Sequence, residues 1–417
     1  LGLSGLLRPD LRPAAPGDRG AGEVCVGAVE RKNLGEGREK MSLIAGLVVT
    51  TISEPLVLES YFENFRFYDH LDDVRVFVIP DRRTPSAAYE YCENINRRGL
   101  RIYCPTIEEQ EKFLSKIGLS PLYIPYDSDN RRNIGYLMAI EAGVDFVISI
   151  DDDNFCLKET DFWAEHAVVC QENLLVEEVN AEHGWFNVCS LLEFDTPVMP
   201  YPRGFPYFAR HVSSRVERAV KRSSIHINAG LWLGDPDLDG ISWLVAPARA
   251  ISFTGPSISL GPNTWSPINT QNTALRREAI SAFYFVKMGY PLAGLGYIDR
   301  YGDIFSGYFV QICAHHLGGA VRFGSPVVQH CRNKHNYLKD ATQEWACILV
   351  LEDLLPDLTR VKLEGTTYPE LYMALSYALE DIVEQKSGTI WTDATRGYFH
   401  QMAYYMRQWT KVASKFL

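Results

Sequence analysis

The sequence predicts an α/β fold: a mainly parallel sheet flanked by helices, followed by a helical C-terminal extension. Three observations predict it. Short apolar runs alternate with segments of helical spacing between Leu43 and Ile150. Polar and acidic residues gather just after those runs, at Thr50–Ser53, Asp81 and Asp151–Asp153. From about Gln343 onward, apolar and aromatic residues recur every three to four positions.

Taken in order, "LIAGLVVTT" (Leu43–Thr51) reads as a buried parallel strand, and "PLVLESYFENFRFY" (Pro55–Tyr68) as a helix entered through Pro55 and capped by Ser53. "VRVFVIPD" (Val74–Asp81) is a second strand, and Ser86–Leu100 a helix closed by Gly99. "RIYCP" gives a third strand, "IEEQEKFLSKIGL" a helix, and Asn130–Val144 another helix that ends at Gly143. "DFVISIDDD" then runs from apolar to acidic in one step. The second half mixes short strands with Gly-, Pro- and Asn-rich loops. The stripes after Gln343 read as helices packed on the main body, with a membrane-surface role as the alternative. This divides the chain into residues 1–40, a main α/β domain over 41–340 and a helical extension over 341–417.

With 417 residues and 46% hydrophobic content, the chain can bury a sizeable core. A formal net charge of −11 disfavours nucleic acid as a partner. The nine cysteines form no C-x-x-C pair, so they read as reduced thiols of a cytoplasmic, soluble protein, with peripheral membrane attachment the alternative. No apolar run of about 18 residues predicts an integral membrane segment. The first forty residues lack apolar periodicity, and a clean strand pattern begins after Met41. The expectation is that the working protein starts near Met41, with an unstructured extension or a misplaced start upstream.

The acidic triplet is the main functional signal. Three adjacent carboxylates repel one another, and a divalent cation would offset that repulsion. Mn²⁺ or Mg²⁺ held by Asp151 and Asp153 at a rigid strand end would bridge to substrate phosphates. A solvated acidic turn is the plain alternative. The Asp-x-Asp spacing is that of nucleotide-sugar transferases; hydrolysis at a two-metal site is the runner-up chemistry.

Four segments carry a family resemblance. "IGYLMAIEAGVDFVISIDDDNF" resembles the GT-A-type glycosyltransferase core of the reversibly glycosylated polypeptides, the plant UDP-arabinopyranose mutases and their relatives. "YPRGFPYFAR" (Tyr201–Arg210) resembles their Arg-Gly-Tyr-Pro-Phe-Ser-Leu-Arg segment, and "INAGLWLGDPDLDG" their His-Gly-Leu-Trp-Leu-Asn-x-Pro-Asp-Tyr-Asp stretch. "IDRYGDIFSGYFVQICAHHLGGAVRFGSPVVQH" is similar to the Gly-Arg-Tyr-Asp-Asp-Met-Trp-Ala-Gly region and the stretch C-terminal to it. The resemblance implies a GT-A-like fold and an enzyme acting on a UDP-sugar. Mutase activity, with self-glycosylation a further feature, is the leading reading. A glycosyltransferase using an acceptor and a non-catalytic nucleotide-sugar-binding partner, in a homo-oligomer, are the alternatives.

By the same resemblance, Asp151, Asp152 and Asp153 match the metal-binding triplet, with Asp152 assigned to the nucleotide. Arg203 matches the arginine that becomes glycosylated, Arg210 its companion, and Asp299, Arg300 and Asp303 an acidic loop. The sequence departs from the pattern at Gly302 (Asp in the family), Asn154 (usually Cys) and Asn228-Ala229 (Ser-His).

The remaining candidates each have two readings. Asp81 accepts from uracil N3–H or is a turn aspartate; Thr50, Thr51 and Ser53 offer hydroxyl and backbone donors to the nucleotide, with capping of the helix at Pro55 the equal alternative for Ser53. Arg131 and Arg132 reach a pyrophosphate or face solvent. Arg203 and Arg210 stabilise charge on a leaving diphosphate or belong to a surface loop. Asp303 is a general base or a helix N-cap, and His330 a cation ligand or a structural histidine. Trp232 and Trp265 read as packing residues.

Overall fold

The first apolar run forms β1 (Ala45–Thr51) in a computed structural model that describes residues 43–292, 294–333 and 335–417. The expectations about residues 1–40 and the start at Met41 lie outside the described residues. Helix α1 (Leu58–Phe67) follows, but Val57, not Ser53, stands at its N-cap, and no side chain caps it. Ser53 instead donates its backbone N–H to Thr51 Oγ1 at 3.1 Å, because the chain turns back at the strand end before the helix begins.

Next come β2 (Val74–Pro80), α2 (Ser86–Arg97), β3 (Arg101–Tyr103), α3 (Ile107–Ile117), α4 (Arg132–Glu141) and β4 (Phe146–Ile150). A capping box at Thr106 and Glu109 starts α3, and Gly118 at φ 88° ends it. Strand β1 pairs in parallel with β2 on one side and β4 on the other, and β3 extends β2 in parallel. Helix α4 lies close on this sheet at Gly135, where a Cβ would stand 2.4 Å from Val48 Cγ1.

Past the acidic triplet the chain forms β5 (Asn154–Cys156), α5 (Phe162–Ala167), β6 (Leu174–Ala181), β7 (Leu192–Phe194), β8 (Val216–Ser223), β9 (Ile225–Gly234) and α6 (Gly240–Val245). It continues through β10 (Ala250–Phe253), β11 (Ile258–Leu260), β12 (Asn272–Arg276), β13 (Tyr290–Leu292), β14 (Gly296–Ile298), α7 (Gly302–His316) and β15 (Ala320–His330). The large sheet runs β3-β2-β1-β4-β12-β9-β15-β11-β6-β8. The expected parallel order holds up to β4. Beyond it the sheet is mixed: β12 is antiparallel to both β4 and β9, while β15 is parallel to β9. The cause is local, since loops in this half replace the long helical crossovers that parallel neighbours need.

This topology brings several chain ends to one sheet edge. The carboxyl ends of β1, β4, β9 and β15 and the start of β12 all lie there. Strand β5 turns back against the end of β15, placing Asn154 opposite His330.

Three helices close the chain: α8 (Tyr337–Leu358), α9 (Tyr368–Gln385) and α10 (Asp393–Ala413). Their stripes bury Leu354, Leu371, Leu379, Phe399 and Trp409 in the same core as the strands, and the described residues form one compact unit. Among the described residues no helix is long and apolar enough to cross a membrane. Trp409 joins the two halves of the core. It is fully buried, contacts Tyr284, and donates Nε1–H to the Ile280 carbonyl at 2.8 Å. Trp409→Ala should therefore cost about 3–5 kcal/mol of the whole unit's stability. Urea unfolding followed by both far-UV circular dichroism and tryptophan fluorescence should show one shifted transition; a separate early loss of helix would refute the shared core.

Candidate active site

The acidic triplet stands where β4 leaves the core, and its three carboxylates take three different partners. Asp151 receives a short hydrogen bond from Arg132 Nη2. Asp152 Oδ2 accepts from Thr51 Oγ1 at 2.7 Å. Asp153 Oδ2 lies 3.4 Å from His330 Nε2. Arg132 is buried, and it also donates to Ser149 Oγ (2.9 Å), the Ile150 carbonyl (3.0 Å), the Thr270 carbonyl (2.9 Å) and Thr50 Oγ1 (3.2 Å). Loss of hydration raises the Asp151 and Asp152 carboxyls above the usual range; Arg132 and Thr51, respectively, oppose this, and the neighbouring carboxylates add to it.

Two adjoining cavities open on this edge. One, of about 250 Å³, is lined by Asp151–Asp153, Arg203, Asp303 and His330, and also by Asp129, Asp237, Arg300, Arg332 and His335. The other, of about 230 Å³, is lined by Asp81, Arg131, Ile52, Ile79 and Thr51. Thr50, Asp129 and Asp152 line both, so they form one continuous cleft. At the second cavity Asp81 is fixed by backbone donors: Arg82 N–H to Oδ1 at 2.7 Å and Ser128 N–H to Oδ2 at 3.1 Å. Arg131 is buried there, 3.9 Å from Asp81, away from solvent. Asp129 stands at the junction; reduced hydration and like charge from Asp303 push its carboxyl up to about 6.

Arg203 is the centre of the first cavity's far wall. Its Nε and Nη2 donate to Asp237 Oδ1 and Oδ2 at 2.9 and 3.1 Å. Its Nη1 and Nη2 donate to Asp303 Oδ1 and Oδ2 at 3.1 and 2.6 Å, and Nη1 also donates to the Arg300 carbonyl. All five N–H groups of the guanidinium are used. Burial disfavours its charge, but Asp237 and Asp303 outweigh that and hold it firmly protonated. Asp303 lies inside the first turn of α7 rather than at its N-cap, which is Tyr301. Arg210 does not line the cleft. It pairs with buried Asp239 at 2.7 Å and lies 3.6 Å over the Tyr207 ring, one layer behind Arg203.

Helix α8 holds these loops. Buried Glu344 accepts from Gly240 N–H at 2.7 Å and Arg300 Nε at 3.1 Å, and Glu352 accepts from Phe208 N–H at 2.9 Å. Arg300 adopts φ 59°, a left-handed conformation unusual for a side-chain-bearing residue, and Asp340 and Glu344 fix it there. Gly302, where the family pattern has Asp, has no room for a side chain: a Cβ would stand 2.6 Å from Phe285 Cε1 and the Val286 carbonyl. Trp232 and Trp265 are buried packing residues.

The donor chemistry fits a hard divalent cation. His330 Nδ1 donates to the Asp235 carbonyl at 2.5 Å, which aims Nε2 at Asp153. Burial would lower this imidazole, but Asp153 outweighs it and raises it. Among the described residues no three His, Cys, Asp or Glu side chains form a closed metal cluster. Asp153 and His330 thus supply two facing donors, as suits a cation whose remaining ligands come from a substrate. Sequence reasoning missed Asp129, Asp237, Arg332 and His335. Asp237 follows a strand end in "GDPDLDG", which is a usable signal; Asp129 has none.

Fold and cleft define an α/β enzyme whose acidic site sits where the strands end. The chain belongs to the reversibly glycosylated polypeptide family, whose model matches residues 48–416. It is 28% identical over 283 residues to UDP-arabinopyranose mutase 1 of Arabidopsis thaliana, covering 67% of this chain and 70% of the relative. A probable UDP-arabinopyranose mutase 1 of Pisum sativum is 26% identical over 284 residues, with the same 67% and 70% coverage. Among solved structures it is distantly similar to glucosyl-3-phosphoglycerate synthase from Mycobacterium tuberculosis, with 12% identity, a TM-score of 0.38, and 78% and 83% of the two chains covered.

The Arg203 clamp gives a stability prediction. Arg203→Met leaves Asp237 and Asp303 facing each other without a cation and should cost about 3–5 kcal/mol at pH 7. Arg203 holds the Asp237 carboxyl below the usual range against the effect of burial. Its contribution is therefore present above about pH 4, the unfolded aspartate value, and fades as pH falls below that. Denaturation midpoints of both proteins between pH 3 and 7 should converge at the acid end; a constant gap would refute the clamp.

Proposed function

We propose that this protein is a metal-dependent enzyme acting on a UDP-sugar, a mutase that changes the sugar's ring size. The observation carrying this reading is the meeting of Asp153 and His330 at the head of a cleft that runs on to Asp81. Family membership and the plant mutases among its relatives support the substrate class. Charge supports the cation. Aspartates outnumber arginines around the first cavity, so a diphosphate entering alone would meet net repulsion.

Asp153 and His330 would hold Mn²⁺ or Mg²⁺, while Asp151 contributes through its charge, its side chain being tied to Arg132. When bound, the cation offsets charge on the departing diphosphate. The chain's own residues divide the remaining work. The second cavity takes the uridine: Asp81 keeps a lone pair for uracil N3–H, and Thr51 positions Asp152 beside the ribose and phosphates. Arg203 fixes the Asp303 carboxylate through both oxygens and Ile304 N–H takes Oδ1 a second time at 2.9 Å, so Oδ2 is the oxygen with a lone pair left for the sugar.

In the reaction the C1–diphosphate bond breaks. The hydroxyl that closes the new ring bonds to C1 and gives its proton to Asp303, which returns the proton to the old ring oxygen as that oxygen's bond to C1 breaks. The diphosphate then re-forms its bond at C1. Arg203 acts here by orienting Asp303. Self-glycosylation at Arg203 has a local proton acceptor in Asp303, 2.6 Å from Nη2. A cytoplasmic setting agrees with the eight described cysteines, all of which are free.

Incubation with Mn²⁺ and a panel of UDP-sugars should yield a new UDP-sugar isomer, and chelation should stop it. Asp153→Ala should lower turnover at least about 100-fold with the fold retained by circular dichroism. Unchanged turnover would sink the assignment. UDP released only with an acceptor would mean a transferase, and binding without turnover a non-catalytic partner. Intact mass after incubation reads any sugar on Arg203.

A further inference from the structure

A protein cation on the diphosphate would aid the proposed reaction, and Arg132, Arg203 and Arg210, three of the four arginines that sequence reasoning assigned to it, are otherwise engaged, while the fourth, Arg131, lies buried beside Asp81. Arg203 has all five donors on Asp237, Asp303 and the Arg300 carbonyl. Arg210 is held by Asp239 outside the cleft. Arg132 is committed to Asp151 and the strand ends, and a further cleft arginine, Arg300, to Asp340 and Glu344.

Arg332 differs from all of these. It lines the first cavity two residues beyond His330. Its main-chain N–H donates to Asp235 Oδ2 at 2.9 Å, which anchors the backbone beside the Asp153–His330 pair. Its guanidinium carbon lies 5.4 Å from the Trp243 centroid and 5.7 Å from that of Tyr337, and these two rings stack on each other at 5.3 Å. Its Nη1 is shielded from water and has no hydrogen-bond partner; among the described residues no carboxylate comes within ion-pair distance of it, and it reaches Asp237 through its charge alone, helping to lower that carboxyl. A planar guanidinium that lies beside aromatic rings and makes no hydrogen bond to a carboxylate keeps its fork free for bidentate capture of a phosphate.

We infer that Arg332 is the diphosphate-binding residue of this cleft, gripping the phosphate end of the nucleotide beside Asp153 and His330. The inference rests on the UDP-sugar reading and deepens it. Arg332 supplies the positive charge that Arg203, locked between two carboxylates, does not. It stabilises the leaving diphosphate when the C1–oxygen bond breaks and holds it for return. Trp243 and Tyr337 keep the fork oriented at little cost in side-chain entropy.

The test compares UDP with uridine, each titrated with Mn²⁺ present, against the wild-type protein, Arg332→Gln and Arg332→Lys. Calorimetry reads UDP, and ligand-detected NMR reads uridine. The expected result is that Arg332→Gln weakens UDP binding at least about tenfold and leaves uridine binding unchanged. Arg332→Lys, which keeps the charge but not the fork, should fall between the two. Wild-type affinity for UDP in Arg332→Gln overturns the inference and leaves the UDP-sugar reading standing. Equal loss of UDP and uridine also overturns it, since the residue would then support the pocket as a whole. Failure of the wild-type protein to bind either ligand removes the UDP-sugar reading, and the inference with it.

Discussion

A single buried guanidinium makes the acidic strand end possible. Arg132 projects from the start of α4 under the edge of the sheet, where burying a charge is costly unless every neighbour is matched to it. It meets that condition by bridging three chain segments: Thr50 at the end of β1, Ser149 to Asp151 at the end of β4, and Thr270 just before β12. The same contacts that satisfy the cation therefore lock three neighbouring strand ends in register. They also take one carboxylate out of the acidic triplet. Asp152 is then held by Thr51, and Asp153 is left facing His330. Three adjacent aspartates coexist because each points to a different partner.

How much of this was legible depends on the range of the interactions involved. The strands up to Ile150 were readable because each is a short apolar run between turn residues, and parallel strands with buried faces leave that pattern in a contiguous stretch of chain. The site's general position was readable for the same reason, since Thr51, Asp81 and Asp151–Asp153 each close one such run. The mixed sheet beyond β4 was not readable. There the strand direction is set by pairings such as β4 with β12 and β9 with β15, which join segments far apart in sequence. Ser53 illustrates a smaller failure: its residue type suits a helix cap, but a hydrogen bond to Thr51 claims its N–H and the helix begins further on.

The arginines show why residue type alone does not settle role. Arg203 and Arg210 lie in one loop and look alike in sequence. In the fold, Arg203 enters the cleft and is clamped by residues from the β9–α6 loop and from α7, while Arg210 turns back to Asp239. Asp237, which completes the clamp, sits two residues before Asp239. One short acidic loop thus serves both arginines and sends one of them into the site. Helix α8 enforces the arrangement through Glu344 and Glu352, so the C-terminal helices shape the cleft as well as the core.

Electrostatics then constrain how such a site can work. A cleft rich in aspartate, whose best-placed arginine is already neutralised twice over, does not attract a diphosphate on its own. On the proposed reading, cation and nucleotide are bound as a pair, each lowering the cost of admitting the other. The acid excess that would repel the free diphosphate is then what makes the cation site selective for its loaded form. Arg332 fits this logic because its guanidinium rests beside aromatic rings and reaches Asp237 of the clamp through its charge alone, with no hydrogen bond to a carboxylate. A guanidinium paired beforehand would have to give up a partner in a poorly hydrated place before it could take a phosphate. One that waits on rings need not, so its full hydrogen-bonding capacity is available at the moment charge develops on the leaving group.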